Sequence, residues 1–352
     1  MKLIQEPIDD TKYKIEVHKM TKHIPLNVLD LVSISEGQTI KEAMEQALES
    51  AQLVDKLGFK RLWFAEHHNT INLASMATSN LIGLAAQVTE RIRVGSGGIM
   101  LPNHSPLQVA ENFGTIAQLF PDRIDLGLGR APGTDGQTAQ LITRSDSDPQ
   151  SFANSIHDLT GWFSDEGLAH SVPVTSNVGT GTNIPIWVLG SSVNGASIAG
   201  QLGLPFSIAT HFTPDNYREK IDLYRSTFKS TAPTAQIKEP YVMAGINVVV
   251  APTDEEAERI WTTTQQFLLD MQTGKQRLMQ PPMDPEELGT EQERERMESM
   301  FSLKAVGSPE TVRKKLEEFT ENSGADELIV VTYAYDPEDR KRSMELLADL
   351  WF

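Results

Sequence analysis

Four short stretches of this 352-residue chain hold residue types that could do chemistry. The first is Glu66-His67-His68-Asn69. An imidazole titrates near neutral pH and can take up or give a proton during a reaction. Neighbouring strand residues point to opposite sides, so only one of two adjacent histidines should face a pocket. The pair is a poor chelate, the HExxH spacing is absent, and with 8 histidines no third ligand falls at a motif spacing. No metal is expected. The plain alternative for each histidine is a structural hydrogen bond.

The second stretch is Ser96-Gly97-Gly98-Ile99-Met100-Leu101-Pro102. Paired glycines permit a bulge, an unusual peptide or the close approach of a flat ligand, or simply make a turn. The third is Gly127-Leu128-Gly129-Arg130-Ala131-Pro132-Gly133. Pro132 breaks a GxGxxG reading, and no dinucleotide-binding βαβ unit surrounds it. Arg130 suits a phosphate or carboxylate, with an ordinary ion pair as the alternative. The fourth, Gly190-Ser191-Ser192-Val193-Asn194-Gly195, leads into a helix. Free backbone N–H groups at a helix N-terminus bind anions, although Ser or Asn there can also be plain caps. No P-loop, GxSxG elbow or zinc pattern is present.

These stretches must be positioned by regular elements. Residues 25–33, 60–65, 91–96, 123–128, 184–189, 205–209, 241–250 and 327–333 read as strands. Between them run amphipathic segments. The clearest has Ile40, Ala43, Met44, Ala47, Leu48, Ala51, Val54 and Leu57 on one face, a Thr39/Glu42 capping box and Gly58 as its stop. Others fall near 75–89, 106–119, 150–166, up to Gly203, 214–228, from Thr253 to 271, from Pro309, and from Pro337. Eight strand–helix units in order predict an α/β protein with a (β/α)8 TIM barrel, with insertions near 130–180 and 274–302. The second insertion reads as a solvated, partly helical excursion, or else as a lid over a pocket. Residues 1–22 read as an N-terminal extension and 23–352 as one barrel domain. Barrel active sites lie at the C-terminal ends of the strands, where all four stretches fall.

Composition narrows the partners. The chain carries 31 Lys and Arg against 48 Asp and Glu, a net charge of −17. Such a surface repels phosphate backbones and anionic lipid, which argues against nucleic acid and membranes as partners. Cysteine is absent, which excludes disulfides, thiolate metal sites and a cysteine nucleophile. No apolar run reaches the roughly 18 residues of a membrane span. The start of the chain lacks a signal-peptide core, so a cytoplasmic location is expected.

The chain resembles the bacterial luciferase-like flavin-dependent monooxygenases, in the uncharacterised, single-subunit-type subgroup. The likeness is carried by WFAEHHN (63–69), by VGSGGIMLPNHSPLQVAENFGTIAQLFPDRIDLGLGRAPGTD (94–135) and by IWVLGSSVNGASIAGQLGLPF (186–206). LDLVSISEG (29–37) and VGSPETVRKKL (306–316) add to it. The resemblance implies a (β/α)8 barrel that takes reduced FMN from a separate reductase. Molecular oxygen would then give a C4a-peroxyflavin that oxygenates a small organic substrate such as an aldehyde or ketone. His67 and His68 match the family's histidine pair, the first acting near the flavin in acid–base chemistry. Gly97–Gly98 matches a non-proline cis peptide beneath the flavin ring. Arg130 matches the arginine on the FMN phosphate, and Ser191, Ser192, Asn194 and Gly195 match the rest of that phosphate pocket. A homodimer is implied by analogy. Gly129 stands where the light-emitting enzymes have a reactive cysteine, so light emission is not expected. Other readings stay open. They are hydride transfer with the deazaflavin F420, direct oxidation of NAD(P)H, and a non-enzymatic flavin-binding protein.

Overall fold

The computed structural model describes residues 23–165 and 173–352. The expected extension at 1–22 and part of the first insertion lie outside the described residues. Ten strands follow in chain order: β1 (Leu26–Asp30), β2 (Arg61–Phe64), β3 (Arg93–Ser96), β4 (Ile99–Met100), β5 (Ile124–Gly129), β6 (Ile186–Gly190), β7 (Phe206–Ile208), β8 (Val242–Val250), β9 (Lys304–Gly307) and β10 (Glu327–Val331). Eleven α-helices alternate with them. They are α1 (Ile40–Leu57), α2 (Thr78–Val88), α3 (Pro106–Leu119), α4 (Gly136–Ile142), α5 (Pro149–Phe163), α6 (Val193–Leu202), α7 (Tyr217–Thr227), α8 (Asp254–Thr273), α9 (Glu291–Met300), α10 (Pro309–Ser323) and α11 (Pro337–Trp351).

The strands pair in parallel in the order β10-β1-β2-β3-β5-β6-β7-β8, and β8 pairs back to β10, which closes an eight-stranded barrel. β4 extends the β3 segment beside β5, and β9 lies along the outer half of β8. Alternation along each strand separates two cores. Val28, Leu62, Phe64, Val94, Leu126 and Val188 point outward under the helices. Leu29, Trp63, Ala65, Trp187, Met243, Ile329 and Val331 fill the barrel interior. Burial on both faces is why these strands read as continuous apolar runs.

The barrel floor is closed by a buried ionic network. Arg61 donates to Asp125 at 2.5 Å and to Glu327 at 2.9 Å, and Arg93 Nε donates to Asp125 at 2.8 Å. Asn27 and Tyr241, at 2.9 and 2.8 Å, and the Lys60 ammonium complete the shell of Glu327. Charges buried at this depth require such complete pairing.

Three expectations change. β1 ends at Asp30, short of 33, because the Asp30 carboxylate accepts the Val32 N–H at 2.7 Å and Val32 takes a positive φ of 51°. The 150–166 helix is a regular barrel helix, α5, so the first insertion is smaller than predicted. The second insertion is pinned along its first half. Met279 exchanges backbone hydrogen bonds with Ile34 and Glu36 at 2.9 Å each and is buried, and Gln266 donates to the Pro281 carbonyl at 2.8 Å. That half forms a fixed wall beside the barrel mouth, and only α9 beyond it is the polar helical excursion that was expected.

Candidate active site

β2 delivers the Glu-His-His triplet to the C-terminal rim. His67 follows the end of β2, two residues beyond Ala65, which lies with Trp63 in the barrel interior. Burial pushes the His67 imidazole below its ordinary value, partly opposed by the Gly133 carbonyl and the Glu66 charge. It is therefore neutral at pH 7 and ready to accept a proton. His68 falls on the other parity with Glu66. Its Nε2 lies 2.9 Å from Glu66 Oε1.

Glu66 is the organiser that the motif alone did not reveal. Its carboxylate is 1% exposed and meets His68, His104 Nε2 at 2.9 Å and the Met100 N–H at 3.1 Å. Asn103 approaches it at 3.4 Å and donates to the Pro132 carbonyl at 2.9 Å. Burial opposes ionisation of Glu66. The hydrogen bonds from His104, His68 and the Met100 amide outweigh it and hold the carboxyl down to about 2. The sequence reading passed over His104 and Asn103, although both sit inside a stretch it quoted. A turn at Leu101–Asn103 carries them back to β2.

The strand beside β2 forms a flat, side-chain-free surface. The Gly97–Gly98 peptide is cis, the conformation the resemblance implies, and the Gly97 N–H donates to the Phe64 carbonyl at 2.8 Å. A β-carbon on Gly97 would stand 2.6 Å from Leu29 Cδ1, and one on Gly98 would stand 2.8 Å from the Gly127 carbonyl oxygen. Neither position has room for a side chain. Gly129 ends β5 against Met100, whose sulfur would lie 2.7 Å from a β-carbon there.

β5 and β6 are paired at Leu128 and Val188, so Arg130 and Gly190 emerge side by side. Ser192 is the N-cap of α6, and its hydroxyl accepts the Gly195 N–H at 3.3 Å. Capping is therefore real, and it uses Gly195. That glycine is buried and packs on Gly190, since a β-carbon on either would lie 3.6 Å from the other's Cα. Among the described residues no hydrogen bond engages the Val193 and Asn194 amides at the exposed helix start, with Ser191 beside them. Among the described residues no hydrogen bond or ion pair engages the half-buried Arg130 guanidinium. An unmatched cation beside an open helix N-terminus fits the phosphate of a mononucleotide. This donor set suits a phosphate-bearing cofactor of the flavin type.

A closed ring of eight parallel strands alternating with helices defines a (β/α)8 barrel. Residues 25–327 match the model of the luciferase-like monooxygenases. A luciferase-like monooxygenase of Escherichia coli (strain K12) is 41% identical over 332 residues, covering 94% of this chain and 97% of that one. The crystal structure of apo-MsnO8 superposes with a TM-score of 0.81 at 34% identity, covering 94% of this chain and 98% of that one. The oxygenating constituent of 3,6-diketocamphane monooxygenase from Pseudomonas putida, in complex with FMN, shares the fold with a TM-score of 0.69 at 18% identity, covering 93% and 97%. The chain belongs to the luciferase-like monooxygenase family, and it is an enzyme of the oxidoreductase class. No helix among the described residues is long and apolar enough to cross a membrane.

Proposed function

We propose that the protein is a monooxygenase that takes reduced FMN and molecular oxygen and acts on a small organic carbonyl compound. The observation that carries this reading is Arg130, a half-buried guanidinium with no anionic partner among the described residues, next to the start of α6. In this reading Arg130, Ser191 and the Val193 and Asn194 amides hold the phosphate. Ser192 and Gly195 shape that corner through the cap, and the Gly97–Gly98 and Gly129 strand ends carry the ring. When bound, the reduced flavin supplies the electrons that activate oxygen.

The chain's own residues do the rest. The neutral His67 imidazole holds or moves a proton at the face of the flavin site. Glu66 fixes His68 and His104 and, through the Met100 amide, the strand end on which Gly129 packs. Leu31, Tyr333, Leu73, Phe267 and Met279 form an apolar wall that excludes water. His68 here supports the site and does not reach the reacting atoms. A separate reductase supplies the reduced flavin. The reading includes a homodimer, for which Leu84 on α2 and Leu119 on α3, 50% and 69% exposed, offer apolar surface.

The test is turnover under isotopically labelled oxygen with a flavin reductase, NADH and a panel of straight-chain aldehydes and ketones. The expected result is one labelled oxygen atom in the organic product and no NADH consumption without the reductase. NADH oxidation by the protein alone would move the reading to a flavin dehydrogenase. Flavin binding without any product would move it to a storage protein, and activity with F420 in place of FMN to a deazaflavin enzyme.

A further inference from the structure

The mouth of the barrel has two unlike halves. β3, β5 and β6 carry Gly97–Gly98, Arg130 and Ser191–Ser192. The opposite arc, β7, β8, β10 and β1, leads to the apolar wall of Leu31, Tyr333, Leu73, Phe267 and Met279. His67, just past the end of β2, stands at one junction between the halves. β7 stands at the other, and His211 follows its end. β2 and β7 are four strands apart in the closed ring, so the segments bearing these two histidines leave strands on opposite sides of the barrel.

His211 has an unusual setting. Its ring lies over Gly245 of β8, where a β-carbon would stand 2.3 Å from Nδ1 and 3.1 Å from Cε1. Gly245 shares the inward parity of Met243, which puts the imidazole inside the barrel wall. Nδ1 is buried with no hydrogen-bond partner. The residue as a whole is only part-buried, and Nε2 lies on the ring edge away from Gly245, with no partner among the described residues. The segment is anchored: Asn247 Nδ2 donates to the His211 carbonyl at 2.6 Å, and the Thr210 hydroxyl donates to the Gly245 carbonyl. Phe212, 55% exposed, meets the ring edge-on at 4.8 Å.

This setting selects a tautomer. The Gly245 Cα–H is directed at Nδ1, and a weak C–H donor favours a lone pair there over an N–H. The ring proton then sits on Nε2, on the edge away from Gly245. Burial alone pushes the imidazole down to about 4, so the ring is neutral at pH 7. Sequence reading missed this residue because its partners lie on β8 and come near it only in the closed ring.

We propose that His211 orients the substrate, its Nε2–H donating a hydrogen bond to the carbonyl oxygen of an apolar carbonyl compound held between the two halves of the mouth, opposite His67. The proposal rests on the monooxygenase reading for its role in turnover, but the hydrogen bond itself can be read without turnover. Gly245 is what lets the Nδ1 edge of the ring approach β8, and the Asn247 and Thr210 contacts anchor the segment.

The experiment has two readouts. The first is the carbonyl stretching band of 2-decanone, measured by infrared difference spectroscopy on protein loaded with FMN. The expected band is shifted to lower frequency in the parent protein and in His211→Gln, whose amide can donate from the Nε2 position. In His211→Phe it should match the ketone in an apolar solvent. The second is product formed per reduced FMN. His211→Phe should lose about tenfold, the worth of one neutral hydrogen bond, with hydrogen peroxide rising in step and FMN affinity unchanged. Identical bands in the parent and in His211→Phe, or no ketone bound by the parent, would overturn the proposal. Loss of turnover in the parent with the shifted band retained would overturn the monooxygenase reading alone.

Discussion

His104 Nε2 lies 2.9 Å from Glu66 Oε2, although 38 residues separate them, and His68 takes the other oxygen of the same carboxylate at 2.9 Å. One buried anion thus ties the end of β2 to the turn after β4. Glu66→Gln removes the charge but keeps the shape. It should destabilise the fold by about 3 kcal/mol, the usual cost of breaking a buried charged network. Urea unfolding at pH 7 checks this, and a loss below about 1 kcal/mol would contradict it.

The same carboxylate predicts a pH dependence. Glu66 sits at about 2 in the folded protein against 4.5 for the unperturbed group. Its depressed value means the stability it contributes is complete above about 4.5. That contribution fades as pH falls from there toward 2. The gap in unfolding free energy between the parent protein and Glu66→Gln should therefore be flat above pH 5 and narrow below it. A gap that widens on acidification would show the opposite linkage.

His67→Ala should leave FMN affinity within twofold and cut product formation by about a hundredfold or more, the usual contribution of a positioned acid–base group. The His67 value is lowered, so the neutral imidazole persists below the ordinary histidine range. The parent should lose activity only as pH falls below about 6.5, and the variant should lose that acidic limb. Retention of the limb would assign it to another group.

Arg130→Ala should weaken FMN by about ten- to a hundredfold while riboflavin, which lacks the phosphate, is bound as before. Fluorescence titration of both flavins separates the cases. Equal losses would place the arginine away from the phosphate.

Two glycines two residues apart should answer differently to alanine. At Gly127 a β-carbon would stand 2.1 Å from the Ser96 carbonyl oxygen, which is backbone and cannot yield. At Gly129 the nearest atom is the sulfur of the flexible Met100 side chain at 2.7 Å. Gly127→Ala should lower the unfolding free energy by more than about 2 kcal/mol, and Gly129→Ala by less than about 1. Thermal unfolding of both variants gives the comparison.

Much of the barrel was legible because its signals are local. Helix α3 runs from Pro106 to Leu119, as its apolar spacing and starting proline indicate, and α1 has the Thr39–Glu42 capping box read from the sequence. β9 was missed because Lys304–Gly307 is four residues long and follows the polar stretch of α9. In the site, Arg130 and the Ser191–Ser192 corner were visible because strand ends and helix starts have their own residue preferences. The partners of Glu66 were not visible. A carboxylate that collects ligands from Met100, Asn103 and His104 is defined by a turn that returns to β2, and spacing along the chain carries no such information. His211 was hidden for the same reason, since its meaning comes from Gly245.

The central claim is that this barrel governs how reduced FMN meets oxygen. The direct measurement is rapid mixing of the protein–reduced-FMN complex with oxygenated buffer, followed by flavin absorbance. The account predicts a transient spectrum, distinct from reduced and oxidised FMN, that precedes oxidised FMN and decays faster when a carbonyl substrate is present. Oxidised FMN appearing at the rate of the free flavin, with no transient, would contradict it.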